Sequence, residues 1–271
     1  MADWSVVARS EDVNRIPELV YGIPDPRLAG LVLTYTAHDH THPEPLPWRV
    51  VALAAVTVTI DLETPQRALP SGGSFPNSPV IGMRDRPLEI SQGGRACGIT
   101  IGLTPSGAHA LFGPLWDFTN TSVGLADLVG GSIIDQVASE IGWAARFRLL
   151  DSWLGPRIAT GHELMPPVLG ALAGLAASAG RVRIGDLADD VGWTRQHLVS
   201  RFRRQVGLTP KTMARVIRLH RAVSLMTGTM TLGDIAHTCG YADQSHLNRD
   251  FRALTGSVPG EVGGQVPFVS A

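Results

Sequence analysis

The first hundred residues alternate apolar and polar positions in short runs, which is the pattern of β-strands. The strongest strand candidate is Val50–Leu62, a β-branched run whose later part alternates, and Leu31–Thr36 and Arg95–Leu103 are two further candidates. Turn sequences rich in proline, glycine and asparagine stand between them at residues 70–73 and 77–79. Several short strands joined by loops predict a small barrel or sandwich.

After this region the apolar positions recur with the period of a helix. Ser106–Phe112 predicts a short helix with Ser106 as its N-cap, and Ser132–Leu154 carries an apolar stripe at helical spacing. Val168–Ala179 predicts a further helix rich in alanine. Between them, Asp151–Pro167 contains glycines, prolines and polar residues, which predicts a helix end followed by a linker.

The most informative pattern is an internal repeat in the last third of the chain. The segment Ile184–Trp193 (IGDLADDVGW) returns as Leu232–Tyr241 (LGDIAHTCGY), and the apolar positions that follow also recur, so that Phe202 matches Phe251. Two copies are too few for a solenoid. Each copy instead has the sequence features of a helix-turn-helix unit.

Each copy predicts a first helix, a glycine turn and a second helix. In the first copy the first helix is Ile184–Val191, and Gly192 follows it where a helix ends in a left-handed residue. Thr194 is then the candidate N-cap of the second helix, Arg195–Gln205. In the second copy the first helix is Leu232–Cys239.

The second helix of the second copy needs a different cap. Ala242 stands where the first copy has Thr194, so Asp243 or a following residue must take this role. Between the copies, Lys211–Met226 predicts a helix of ~24 Å at 1.5 Å per residue. A helix of that length can set two units about one duplex turn apart, ~34 Å.

The outer faces of the two second helices carry side chains that recognise base edges. Arginine donates two hydrogen bonds to guanine, and glutamine or asparagine pairs with adenine. The outer positions are Arg195, Gln196, Ser200, Arg203 and Arg204 in the first copy and Gln244, Ser245, Asn248, Arg249 and Arg252 in the second. On the connecting helix, Arg215 and Arg218 are candidate phosphate contacts. The pattern therefore predicts a domain that binds double-stranded DNA, and a solvated basic face is the alternative.

The charge of the chain is distributed unevenly. The formal net charge is −1, but residues 1–180 hold 11 arginines and 17 acidic residues, whereas residues 181–256 hold 12 basic residues and 6 aspartates. Such asymmetry indicates that one half of the chain meets a polyanion and the other does not.

These patterns predict an α+β chain in four parts. We expect a β-rich regulatory or dimerisation domain over residues 1–154, a linker at 155–167, an all-α DNA-binding domain over 168–262 and a flexible tail at 263–271. No window approaches ~18 uninterrupted apolar residues, and no basic start precedes an apolar stretch, so we expect a cytoplasmic protein without a membrane span. Two cysteines are too few for a disulfide framework or a four-cysteine zinc site.

The repeat resembles the AraC/XylS family of bacterial transcription regulators. The resemblance is carried by Ile184–Pro210 and by Gly240–Arg252 (GYADQSHLNRDFR), followed by Gly256 and Pro259, and it covers about residues 184–259. It implies two helix-turn-helix units, joined by a long helix, that bind promoter DNA and act with RNA polymerase. It places base contacts on Arg195, Gln196, Ser200, Gln244, Ser245 and Arg249. The sequence departs from the family pattern at Ser200, where a longer polar residue is frequent.

The first half carries a looser resemblance. The segment Gly98–Gly113 (GITIGLTPSGAHALFG) is similar to part of a regulatory domain in some actinobacterial AraC-like proteins. This similarity implies a cupin-like barrel with trailing helices that binds a small effector or forms a homodimer, for which Ser132–Leu154 is the candidate dimer helix. Trp48, Phe75 and Trp116 are the candidate effector-binding residues. A plain apolar core, or an oligomerisation module without a ligand, is the alternative.

One histidine cluster supports a competing hypothesis. His38, His40 and His42 alternate along an extended segment, the spacing that a metal site requires, although the neighbouring prolines also fit a polar loop. The competing function is a metal-dependent cupin-type enzyme fused to a DNA-binding domain. The sequence has no triad order, phosphate loop or dinucleotide fingerprint. We therefore predict a regulator with no catalytic residues and no cofactor.

Overall fold

The structure is a computed structural model that describes Val7–Ala8 and residues 19–261. The predicted tail at 263–271 lies outside the described residues. Over the described part of the chain, an antiparallel sheet comes first and helices follow. In that part, no helix is both long enough and apolar enough to cross a membrane.

Eight antiparallel strands of the described residues form one sheet. Their order is β1-β3-β7-β4-β6-β8, with β2 paired to β3 and β5 paired to β7. The strands are β1 (Val7–Ala8), β2 (Leu19–Gly22), β3 (Val32–Val50), β4 (Val56–Asp61), β5 (Gln66–Ala68), β6 (Pro79–Ile81), β7 (Leu88–Leu103) and β8 (Ser122–Gly124). The two longest strands, β3 and β7, pair antiparallel along most of their length and form the centre of the sheet.

The helices divide into those that trail the sheet and those of the repeat. The first group is α1 (Pro105–Phe112), α2 (Leu125–Val129), α3 (Ser132–Ser139), α4 (Trp143–Ala159) and α5 (Pro166–Ala177). The second group is α6 (Ile184–Asp190), α7 (Arg195–Val206), α8 (Pro210–Met226), α9 (Leu232–Thr238) and α10 (Gln244–Thr255). The predicted α+β class and the predicted repeat of helices are both confirmed.

One face of the sheet is apolar and covered by helices. Tyr35 pairs with Ile101 and Ala37 pairs with Ile99, and all four are buried. Phe147 of α4 stacks on Tyr35 with ring centroids 5.6 Å apart. Because side chains alternate along a strand, this apolar face fixes which residues point the other way.

The opposite face of the sheet is polar. Directly paired residues on neighbouring strands lie on the same face of a sheet. The register therefore places residues of β3, β4 and β7 on this polar face. They are Thr34, Thr36, His38 and His40 on β3, Thr57, Thr59 and Asp61 on β4, and Thr100 on β7. Thr57, Thr59 and Asp61 are buried, which is uncommon for polar side chains.

The predicted strand Val50–Leu62 is wrong as a single element. β3 ends at Val50, β4 begins at Val56, and the residues between them leave the sheet. The backbone N–H of Ala52 donates to the carbonyl of Leu254 at 2.9 Å instead of to a strand neighbour. An apolar run therefore serves here as a contact between the two halves of the chain.

The predicted helix Ser132–Leu154 is divided in two. The first helix ends at Ser139, because Glu140 has the extended angles φ −74° and ψ 145°. Gly142, with a positive φ of 83°, then stands immediately before the second helix. Most of the predicted apolar stripe lies against the chain's own core, with Ile133, Val137 and Leu150 fully buried. The dimer role of this segment stays a prediction, although its apolar face is already occupied.

Two smaller predictions also need correction. The side chain that caps α1 is Thr104, which accepts from the N–H of Gly107 at 3.1 Å, and Ser106 lies inside the helix. The predicted linker at 155–167 begins within the last turns of α4, which continues to Ala159. The two predicted domains also share a buried cluster that extends from Ile99 through Leu154 to Phe202.

Candidate nucleic-acid interface

The first helix-turn-helix unit consists of α6, a turn and α7. Gly192 has a φ of 72°, and the N–H of Trp193 returns to the carbonyl of Ala188 at 2.9 Å, which closes the end of α6. The hydroxyl of Thr194 accepts from the N–H of His197 and caps α7, as predicted. Leu198 is fully buried, so the inward face of α7 is the one that the repeat indicates.

The second unit has the same geometry in α9, its turn and α10. Gly240 has a φ of 77°, and the N–H of Tyr241 donates to the carbonyl of Ala236 at 2.9 Å. The cap of α10 is Asp243, whose carboxylate accepts from the N–H of His246 at 2.6 Å. The two units are therefore built alike, each with a second helix whose start is capped by a side chain.

Most of the candidate base-contact residues are exposed. We call α7 and α10 the recognition helices. Their exposed candidates are Arg195, Gln196, Ser200, Arg203 and Arg204 on α7 and Gln244, Ser245, Arg249 and Arg252 on α10. Asn248 differs, because it is half-buried and its amide oxygen is buried without a hydrogen-bond partner. Both recognition helices thus present a glutamine to solvent in the first turn, together with Arg195 in the first turn of α7 and Arg249 in the second turn of α10.

Arg215 and Arg218 on α8 are held by an acidic residue that sequence reasoning missed. The Nε and Nη2 of Arg215 donate to Asp250 Oδ1 at 3.1 and 2.8 Å, and Arg218 Nη2 lies 3.8 Å from Asp250 Oδ2. The guanidinium of Arg218 also lies 5.2 Å from the ring centroid of Tyr241. These contacts join α8 to α10, and phosphate binding by the two arginines stays a prediction. The sequence feature that could have revealed this role is the position of Asp250 directly before Phe251, an apolar residue of the buried face.

The three candidate effector residues do not converge. Phe75 is buried in a small apolar cluster that also contains Val50 and Ile90, and Trp48 packs against this cluster. Trp116 lies in a single 3-10 turn, Trp116–Phe118, and is 54% exposed. The structure therefore brings Trp48 and Phe75 together and leaves Trp116 apart from them.

The histidine cluster lies on β3 beside Trp48. The ring centroids of His38 and His40 are 5.7 Å apart, and those of His40 and His42 are 5.0 Å apart. Trp48 lies 5.8 Å from both His40 and His42. Burial, and then the neighbouring His38 and His42 rings, lowers the pKa of His40 to about 4, so this imidazole is neutral at pH 7.

Four ring nitrogens in this cluster lack partners. Both nitrogens of His40, the Nε2 of His42 and the Nε1 of Trp48 are buried without a hydrogen bond. Within the described residues, no group of three histidine, cysteine or carboxylate side chains is placed to hold a metal ion. The sequence singled out the histidines by their alternation, but their proximity to Trp48 depends on the irregular register between His42 and Leu46.

The paired units define a protein with two helix-turn-helix motifs on one connecting helix, and comparisons with known proteins agree. Residues 187–265 match the family described as Helix-turn-helix domain. The chain is 35% identical over 69 residues to the Uncharacterized HTH-type transcriptional regulator YbfI of Bacillus subtilis (strain 168), which covers 26% of this chain and 25% of that protein. It is 35% identical over 79 residues to a Putative AraC-like transcription regulator of Streptomyces lividans, which covers 29% of this chain and 26% of that protein.

The matched part of the chain spans about a quarter of the length of these curated relatives. A crystal structure of ToxT from Vibrio cholerae bound to an unsaturated fatty acid has a TM-score of 0.49 and 11% identity, and the match covers 86% of this chain and 94% of that one. Residues 187–265 therefore form a helix-turn-helix domain, and this part of the chain is similar to AraC-like transcription regulators.

Proposed function

We propose that this protein binds promoter DNA and regulates transcription, with α7 and α10 each in a major groove. The observation that carries the proposal is the repeated unit, in which the same capped turn starts both recognition helices. The first turn of α7 presents exposed Arg195 and Gln196. The first turn of α10 presents exposed Gln244 and Ser245, and Arg249 follows in the second turn. The first residues of such a helix reach base edges when it lies in the groove. RNA polymerase is the expected protein partner, and the cytoplasm the expected location.

In this mechanism the two units divide the contacts by chemistry. Arg195 and Arg249 each donate two hydrogen bonds to a guanine, and Gln196 and Gln244 pair with adenines. Exposed arginines further along the helices, such as Arg203, neutralise phosphates and set the register on the duplex. Because the units are unlike in their outer residues, the expected site is asymmetric.

The phosphate contacts predict a strong dependence of binding on salt. A plot of log binding constant against log salt concentration should have a slope of about −4, so that doubling the salt weakens binding roughly 16-fold. Fluorescence anisotropy with a labelled promoter fragment measures this slope. The variant with Arg203→Ala and Arg204→Ala should reduce the slope by about 2. A flat salt response in the wild-type protein contradicts the proposed phosphate contacts.

We also propose that the amino-terminal half, as a cupin-like barrel, binds a neutral polar effector beside His40 and Trp48. Four unpartnered ring nitrogens there are the supporting observation, because buried polar groups are normally hydrogen-bonded. The nearby Arg67 is paired with Asp61, and His40 is neutral at pH 7, which favours a ligand without a net charge. A ligand with hydroxyl or amide groups supplies the missing donors and acceptors. No contact among the described residues favours the alternative of a metal-dependent cupin-type enzyme in the same way. We therefore favour a regulator without catalytic activity.

The effector proposal predicts a selective effect of one indole nitrogen. Neutral polar metabolites that raise the melting temperature of the wild-type protein should bind the Trp48→Phe variant about tenfold more weakly, because the ring remains and the N–H donor is lost. Trp143→Phe is the matched control, since Trp143 packs at the start of α4 under Arg146. Equal binding by wild type and Trp48→Phe in titration calorimetry contradicts this site.

A further inference from the structure

The carboxy-terminal end of α7 is held by the amino-terminal half of the chain. The last carbonyls of a helix have no donors within it. Here the carbonyl of Gln205 accepts from the N–H of Leu115 at 3.3 Å and lies 3.1 Å from His109 Nδ1. The carbonyl of Gly207 accepts from the hydroxyl of Thr119 at 2.8 Å. All three partners lie in residues 109–119, which we call the first holding segment.

Gly207 allows this close approach. Its φ is 95°, and a Cβ built on it would lie 3.0 Å from both the Leu115 carbonyl oxygen and the Thr119 hydroxyl. A side chain at this position therefore pushes the first holding segment away from α7. The carbonyl of Gln205 can only accept, so His109 must carry its proton on Nδ1 in this contact.

The carboxy-terminal end of α10 is held by a second segment of the amino-terminal half. The carbonyl of Leu254 accepts from the N–H of Ala52 at 2.9 Å, and the hydroxyl of Ser257 accepts from Arg49 Nη1 at 2.9 Å. The Nε2 of His220 on α8 lies 3.0 Å from the carbonyl of Ala52. We call residues 49–52 the second holding segment.

Both holding segments are attached to the same pair of strands. The second begins at the end of β3, and the first follows β7 through the Thr104 cap of α1. β3 and β7 are paired from Val32 with Leu103 to Val50 with Leu88. The sheet is therefore connected, through the two holding segments, to the ends of both recognition helices, whereas along the chain only α8 connects the two units.

We infer that the amino-terminal half sets the angle between the two recognition helices and so selects the spacing between the two half-sites in DNA. This inference rests on the proposed DNA binding and goes beyond it, because it assigns positioning roles to Thr119, Ser257 and Arg49, which touch no base. The holding points lie at the far ends of α7 and α10 from the residues that recognise bases.

The geometry turns a small movement into a large one. α7 has 12 residues, so it is ~18 Å long at 1.5 Å per residue. A rotation of roughly 10° about its held end moves Arg195 by about 3 Å, close to the ~3.4 Å rise of one base pair. A displacement of one holding segment against the other therefore changes the preferred half-site spacing by about one base pair.

The experiment measures spacing preference with the full chain. A site is first selected by the wild-type protein from random duplexes, and the two half-sites are then moved one base pair closer or further apart. We expect the wild type to prefer the selected spacing by about tenfold or more, since half-site spacing follows from protein geometry. In the variant with Thr119→Val and Ser257→Ala the preference should fall to roughly threefold or less, while single-base substitutions within each half-site keep their effects.

Two matched variants serve as controls. Thr121→Val removes an exposed hydroxyl whose bond stays within its own turn, to the carbonyl of Asp117. Glu89→Gln weakens the other ion pair of Arg49 and leaves its bond to Ser257. Both controls should keep the wild-type preference.

Two results would overturn the inference, and a third would contradict the DNA binding on which it rests. A folded double variant that retains the wild-type spacing preference overturns it. If the double variant does not fold, the single variants Thr119→Val and Ser257→Ala are measured instead. The inference is then overturned if both single variants keep the wild-type spacing preference. A wild-type protein that selects no sequence at all contradicts the proposed DNA binding instead, so the two failures are distinguishable.

Discussion

Replacing Arg195 and Arg249 together with alanine should abolish measurable binding to the cognate site. Each guanidinium is exposed on a recognition helix, that of Arg195 at the first residue of α7 and that of Arg249 in the second turn of α10. An arginine in such a position can donate two hydrogen bonds to one guanine. Each single change should cost about 1–3 kcal/mol, a loss of roughly 5- to 150-fold in affinity, and should relax the base preference at one position. The two residues lie in separate units, so the costs should add.

The control for this prediction is another exposed arginine in a helix. Arg148 lies on α4 and is exposed, so Arg148→Ala should leave DNA affinity within about twofold of wild type. Anisotropy titrations with the selected site, and with the same site mutated at the predicted guanines, measure both affinity and preference. If the variants Arg195→Ala and Arg249→Ala bind the selected site as tightly as the wild type, the assignment of the recognition helices is wrong.

The elements that the sequence predicted best are those whose signals are local. Each turn of the repeat depends on one glycine and one cap, and these lie within a few residues of the helices that they delimit. Thr194 is therefore predicted as a cap from neighbouring positions alone, whereas for α10 the sequence leaves Asp243 and the residues after it as alternatives and the structure assigns Asp243. The exposure of Gln196 and Gln244 follows from the same local period.

The features that the sequence did not predict depend on contacts between distant segments. The run from Val51 to Ala55 is as apolar as a central strand, and no local pattern reveals that Ala52 bonds to Leu254 across the chain. The sequence predicts a phosphate contact for Arg215, and no local pattern reveals its pairing with Asp250, which lies 35 residues away in the chain. The sequence groups Trp116 with Trp48 by residue type, and only tertiary packing separates the two.

The largest effect on stability should come from Arg67→Met. Arg67 Nη1 and Nη2 donate to Asp61 Oδ2 and Oδ1 at 2.6 and 2.9 Å, and its Nε donates to Gln92 at 2.7 Å. The two charged side chains are only 7% and 3% exposed. Removing the cation leaves a buried carboxylate whose remaining donor is the N–H of Ser78, which should lower the free energy of unfolding by about 3–5 kcal/mol.

Urea denaturation of matched variants tests this expectation. Arg95→Met removes an ion pair to Asp39 in which the arginine is 53% exposed, so it should lower the free energy of unfolding far less than Arg67→Met does. The double variant Arg67→Met with Asp61→Asn should recover part of the loss, because the unpaired charge is gone. Equal destabilisation by Arg67→Met and Arg95→Met contradicts the role of the buried pair. Asp61 shares the polar face of the sheet with His38, so the loss of Arg67 should also weaken any effector bound beside His40, through an uncompensated negative charge on that face.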